Sequence, residues 1–183
     1  MSKDGGDCSC FVTVGTTSFD SLVEIVSSSD EVHGALRSLG ITRLVLQIGR
    51  GGVEPPSYTT VKPSKDNGKR LLPVEWFRFA PTLEEHMQSA ALVISHGGAG
   101  SIMEALANKK PLVVVTNDAL MDNHQEELAC ALDIRGHLRS TTCQGLANAL
   151  RDISLEVPSQ FFKPYPQPDK SAFPKLVDAT CGF

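Results

Sequence analysis

No stretch of the 183 residues approaches the roughly 20 consecutive apolar residues a membrane-crossing helix needs, so work at a membrane is expected to run through a partner or at the surface. Nor is there an electrostatic footprint for nucleic acid. The net charge is -4, the pI is near 5.7, and no Lys/Arg cluster is interleaved with aromatic residues. The one basic run, Lys62 to Arg70, is broken by Pro63, Ser64, Asp66, Asn67 and Gly68 and reads as a solvated loop. Cysteine is sparse and odd in number: Cys8, Cys10, Cys130, Cys143 and Cys181. The start, Met1 to Asp7, carries no apolar signal region, and both features lead to the expectation of a reducing compartment. Cys8 and Cys10 lack the second ligand pair of a zinc site, and no Asp-x-Asp pair is present to hold a divalent metal, so neither metal nor cofactor is expected. No internal repeat is visible. With 41% hydrophobic and 21% charged residues, the length suits one well-buried domain. Its expected span is 8–157, and 158–183, with Pro158, Pro164, Pro166, Pro168 and Pro174, is expected as an extended connector and tail, with a short amphipathic helix over 175–179 and a possible role in docking a partner.

What the chain does have is Ser95-His96-Gly97-Gly98-Ala99-Gly100-Ser101, with Glu104 three residues on. The apolar run Ala90 to Ile94 precedes it, and Ile102 to Ala107 has helix-forming composition, so the stretch reads as strand, glycine turn, helix. Glycines let a backbone approach a ligand closely. A helix start offers unpaired N–H groups and partial positive charge, which suits a phosphate or diphosphate. A capping pair, Ser101 with Glu104, accounts for those two residues without a ligand, but leaves His96 unexplained.

Upstream of this turn lies a second strand, turn and helix start. Cys10 to Val14 predicts a strand ended by Gly15-Thr16-Thr17-Ser18, with a helix from Phe19 to Val26. The hydroxyl-rich turn suits the same phosphate, or Thr17 or Ser18 merely caps a helix. A helix from Asp30 to Leu39 is closed by Gly40, and strands follow over 42–48 and 74–79. Arg50 and the helical His86 are read as solvated, and Pro81-Thr82 opens a helix over 83–90. Lys109-Lys110-Pro111 stops the central helix before a buried strand, Leu112 to Val115. A polar loop, Asn117 to Asp122, then leads to a helix opening at Asn123-His124-Gln125, polar groups suited to a polyhydroxylated ligand. A short last strand is expected at Gly136 to Arg139 and a helix over Thr142 to Asp152. The alternation predicts an α/β fold: a Rossmann-like doubly wound parallel sheet whose strand ends share one rim.

His96, Ser101 and Glu104, followed by His124-Gln125, resemble the donor-site signature of GT-B glycosyltransferases. The blocks from Phe11 to Asp20, Leu46 to Gly51, Val93 to Ser101, and Lys110 to Val115 with Asn123 to Gln125 resemble more closely the donor-binding, catalytic subunits of the dolichol-linked UDP-N-acetylglucosamine transferase. The resemblance runs in order from about Cys10 to Leu150, and Gly97 stands where alanine is commoner in that family. It implies a chain equivalent to the C-terminal half of a GT-B enzyme, paired with a membrane-anchored, acceptor-binding glycosyltransferase subunit. The implied reaction is β1-4 transfer of N-acetylglucosamine from UDP-GlcNAc to GlcNAc-diphosphodolichol. The implied place is the cytosolic face of the endoplasmic reticulum, the free chain being soluble and cytoplasmic. In this reading Gly15, Thr16, Thr17, His96, Gly97, Gly98, Ala99, Gly100 and Ser101 hold the diphosphate, Glu104 holds the ribose, and Asn123, His124 and Gln125 meet the sugar. No residue identifies itself as the general base; Asp20, Asp118 and Asp122 are available by position only. A non-catalytic module that senses nucleotide sugars is the alternative. A nicotinamide-binding dehydrogenase is disfavoured because the turn after the first strand lacks a three-glycine fingerprint.

Overall fold

The computed structural model describes residues 8–56, 62–63, 70–117 and 123–166, with residues 62–63, 70 and 123–126 described by backbone alone. The start of the chain, the middle of the basic loop, Asp118 to Asp122, the tail helix expected over 175–179 and Cys181 lie outside the described residues.

Along the chain the elements are β1 (Ser9–Thr13), α1 (Asp20–Ser28), α2 (Asp30–Ser38), β2 (Arg43–Gln47), β3 (Lys62–Pro63), β4 (Arg70–Leu71) and β5 (Val74–Phe77). Then come α3 (Glu84–Ser89), β6 (Ala90–His96), α4 (Ala99–Ala107), β7 (Leu112–Thr116), α5 (Asn123–Ile134), β8 (Arg139–Thr142), α6 (Leu146–Arg151) and a single 3-10 turn over Pro158–Gln160. β3 and β4 form a small antiparallel pair. The other six strands make one parallel sheet in the order β5-β2-β1-β6-β7-β8. Counted within that sheet the order is 3-2-1-4-5-6, the doubly wound Rossmann arrangement, and it reverses between β1 and β6.

Strand side chains alternate between two cores, which is why the strands read as unbroken apolar runs. Cys10, Val12, Leu44, Leu46, Leu92, Ile94, Val113 and Val115 point to the side covered by α1, α2 and α6. Phe11, Val45, Val93, Leu112 and Val114 point to the other, with Met87 of α3, Ile102 and Ala105 of α4, and Ala129 and Leu132 of α5. Each Val, Leu, Ile, Phe or Met among them, taken fully out of water, contributes about 1.5–3 kcal/mol before entropy is charged against it. The result is a stiff sheet with all its loops after β1, β2, β5, β6 and β7 on one rim.

Three expectations are corrected. The last strand is not Gly136 to Arg139 but Arg139–Thr142, because Gly136 at φ 79° turns the chain out of α5 and buried Leu138 belongs to the turn. The final helix begins at Leu146 rather than Thr142, since Thr141 and Thr142 are still paired with Val115 and Thr116 of β7. His86 is not a solvated side chain: its ring stacks on Phe77 at 4.7 Å and Phe11 at 5.5 Å. The described start of the tail, 158–166, lies on the domain. Phe162 is buried, Lys163 N–H donates to the Gly136 carbonyl at 2.7 Å, and Tyr165 meets His137 edge-on.

Candidate functional site

A cavity of about 520 Å³ opens at the reversal point of the sheet, within the volume range common for small-molecule sites. Its lining brings together Gly15, Thr16 and Thr17 after β1 with His96, Gly98, Gly100, Ser101 and Glu104 of the β6–α4 unit. Gly97 is buried and Ala99 exposed, and neither side of that pair lines the cavity.

Several polar groups of the first turn are already committed. Gly15 N–H donates to Thr13 Oγ1 at 3.0 Å, the Thr17 hydroxyl donates to the Val14 carbonyl at 2.9 Å, and Arg50 N–H donates to the Thr17 carbonyl at 2.9 Å. Thr16 is exposed and bonded to none of the described residues, so it is the hydroxyl this turn offers to a ligand. Gly49, at φ 55°, allows the packing behind it. A Cβ there would run into the carbonyls of Thr17 and Gly15.

Helix α4 starts with no side-chain cap and no acidic residue in its first turn. Its N-cap is Gly98, and the first backbone bond a turn back is Ile102 N–H to the Gly98 carbonyl at 3.1 Å. The N–H groups of Ala99, Gly100 and Ser101 therefore precede the helical ladder, and the positive end of the helix dipole faces the rim. No hydrogen bond joins Ser101 to Glu104. The capping pair that accounts for them without a ligand does not form, and both side chains line the cavity instead.

His96 is wedged between the two turns. A Cβ on Gly15 would lie 2.7 Å from His96 Cε1, and one on Gly98 would collide with Nε2. Its Nδ1 lies 3.4 Å from the Thr13 carbonyl, which can only accept, so Nδ1 donates there. Burial pushes the imidazole pKa below its ordinary value, partly opposed by that carbonyl. The ring lines the cavity and holds the β1 and β6 turns at a fixed spacing.

Asn123, His124 and Gln125 open α5, which follows β7, the strand beside β6, so their backbone lies at the same rim of the sheet. Asp20 stands apart from the cavity lining, and its carboxylate accepts from Gly52 N–H at 3.1 Å and Val53 N–H at 3.4 Å. Asp118 and Asp122 lie outside the described residues. Sequence reasoning missed Gln47 and the wall Ala80-Pro81-Thr82-Leu83. Gln47 was visible as the one polar residue at the end of an apolar strand. The wall carried only a helix-start signal, and Thr82 Oγ1 does accept from Glu84 N–H at 3.1 Å.

The reversal point, the uncapped helix and the cavity define a class: a Rossmann-like domain built like the C-terminal half of a GT-B glycosyltransferase. The crystal structure of Acinetobacter baumannii MurG superposes with TM-score 0.62 over 100% of this chain and 54% of that one, at 15% identity, which shows the fold alone. The family is settled by sequence: residues 9–179 match the glycosyltransferase family 28 C-terminal domain, and the chain belongs to that family. The human UDP-N-acetylglucosamine transferase subunit ALG13 is 48% identical over 136 residues, 74% of this chain. The chain spans 11% of that human protein's length. The NMR solution structure of an ALG13 superposes with TM-score 0.61 at 30% identity, over 93% of this chain and 95% of that one.

Proposed function

We propose that this chain is the donor-binding, catalytic subunit of a two-subunit, inverting UDP-GlcNAc transferase. It adds N-acetylglucosamine in β1-4 linkage to GlcNAc-diphosphodolichol, the second step in building the dolichol-linked N-glycan precursor. The observation that carries the reading is the convergence, at the sheet's reversal point, of the uncapped α4 N-terminus, Thr16, Ser101 and Glu104 on one cavity. Membership of the glycosyltransferase family and the likeness to ALG13 subunits support the choice of donor and the need for a partner.

In the reaction, the acceptor's 4-hydroxyl oxygen bonds to the sugar's anomeric carbon as the bond from that carbon to the β-phosphate breaks. The bonding electrons leave with UDP. The N–H groups of Ala99, Gly100 and Ser101, the Ser101 hydroxyl and Thr16 stabilise that growing charge, and the fixed helix dipole does so without reorganising. Glu104 accepts from the ribose hydroxyls, and the α5 start with Asn123, His124 and Gln125 meets the sugar. The base that takes the hydroxyl proton comes from the membrane-anchored partner, which also brings the acceptor. That partner holds the chain at the cytosolic face of the endoplasmic reticulum.

The test is calorimetric titration of the chain with UDP-GlcNAc, then transfer from radiolabelled UDP-GlcNAc to GlcNAc-diphosphodolichol with and without the membrane subunit. Binding by the chain alone and turnover only by the pair are the expected results. Full turnover without the partner, or no binding of UDP-GlcNAc, overturns the reading.

A further inference from the structure

Gln47 closes β2, opposite Thr13 in the β1–β2 register. It is 4% exposed and lines the cavity. Its Oε1 accepts the Thr13 hydroxyl proton, while Thr13 Oγ1 accepts from Gly15 N–H. In this orientation the Thr13 proton has a partner; turning the carboxamide over would set that hydroxyl against an NH2 group and leave its proton unpaired. Nε2 then carries two N–H donors with no acceptor among the described residues. It is not one of their fully enclosed unpaired atoms, so it opens on the cavity. Buried amide donors are almost always satisfied, and here the open direction is the ligand's.

We infer that Gln47 is a specificity-determining residue that donates from Nε2 to a carbonyl oxygen of the donor's nucleobase. The inference rests on the proposed function, which sets the ligand's direction along the rim. The sugar lies toward α5, beyond β7, and the diphosphate lies between β1 and β6. The nucleoside must then extend the other way, over β2 toward β5. On that side the cavity wall is Ala80, Pro81, Thr82 and Leu83, mostly apolar, with Gln47 beneath it. An apolar wall beside one neutral amide donor suits a planar base with a carbonyl edge. It does not suit an anion, which the α4 terminus already serves.

The experiment compares uridine and UDP binding to the full chain, uridine by NMR shift titration and UDP by calorimetry. Gln47→Met keeps the length of the side chain and removes its donors. Gln47→Glu, read at a pH where its carboxyl is ionised, keeps the acceptor for Thr13 and presents only lone pairs to the base, and uridine carries no net charge for it to repel. Both variants are expected to lose uridine affinity by about tenfold, the scale of one hydrogen bond with its buried group left unmatched, and Gln47→Met to lose UDP affinity by the same factor. If Gln47→Met weakens UDP but not uridine, the amide serves the phosphates and the inference falls. It falls equally if neither ligand is affected. Should Gln47→Met fail to fold, uridine binding by Gln47→Glu decides alone. Wild-type protein that binds no UDP sinks the proposed function itself, a result distinct from a wild type that binds and variants that do not differ.

Discussion

At the scale of single residues, the site depends on one charged acceptor and one wedge. Glu104 lines the cavity with no hydrogen-bond duty for its carboxylate among the described residues; the bond from Asn108 is taken by its backbone carbonyl. Glu104→Ala is therefore expected to cost about 1.5–3 kcal/mol of UDP affinity with little change in thermal stability. Calorimetry and a melting curve on the same preparation check both halves. The wedge behaves oppositely. Gly98→Ala adds one methyl, yet that methyl meets the His96 ring, whose own position is fixed by Thr13 and Gly15. Gly98→Ala is expected to cost more than about 1 kcal/mol of stability and to lower UDP affinity. In a His96→Ala background the added cost should shrink, because the clash is gone. A double-mutant cycle by urea unfolding reads this coupling, and strict additivity would show that His96 does not brace Gly98.

At the scale of elements, what the sequence revealed and what it hid separate along physical lines. β1, β2, β6 and β7 were legible as apolar runs because both their faces are buried, and Gly98 to Ser101 marked the start of α4. β8 was hidden: Arg139-Ser140-Thr141-Thr142 has no apolar residue and is a strand only because its backbone pairs with β7 at the sheet edge. His86 was misread for a related reason: one ring partner, Phe11, lies on a strand distant in sequence, and the other, Phe77, ends the preceding strand β5. The α4 start itself makes a prediction with two signs. Ala99, exposed in the first turn of a helix without an acidic residue there, can take aspartate without a clash. Ala99→Asp should raise stability by about 0.3–1 kcal/mol through the helix dipole. The same charge occupies the field that a diphosphate would use, so UDP affinity should fall while the melting temperature rises. A variant that gains on both measures would mean the helix end is not the anion site.

At the scale of the whole molecule, the strand order was not legible, because nothing local records that β1 lies between β2 and β6. That order places two histidines in the same sheet-and-helix unit, half-buried His96 at the rim and buried His33 under α2. His33 is fully buried, and its Nδ1 accepts from Leu72 N–H at 2.9 Å. Burial pushes its pKa below 6.5, with the Ser27 carbonyl opposing, Arg37 adding and Asp30 opposing. His96 is pushed the same way. Above the ordinary value of 6.5 both rings are neutral in folded and unfolded chains, so neither contributes a slope. As pH falls below it, the unfolded chain takes up two protons that the folded chain refuses. Unfolded protein then binds more protons, and stability falls with pH until the folded pKa values are reached. Two groups give a slope of at most about 2.7 kcal/mol per pH unit. Urea unfolding at a series of pH values between 7.5 and 5.5 should show this decline. His33→Gln, which keeps a neutral acceptor for Leu72 N–H, should lower stability at pH 7.5 yet roughly halve the slope. An unchanged slope in that variant would mean that His33 takes its proton in the folded chain as readily as in the unfolded one.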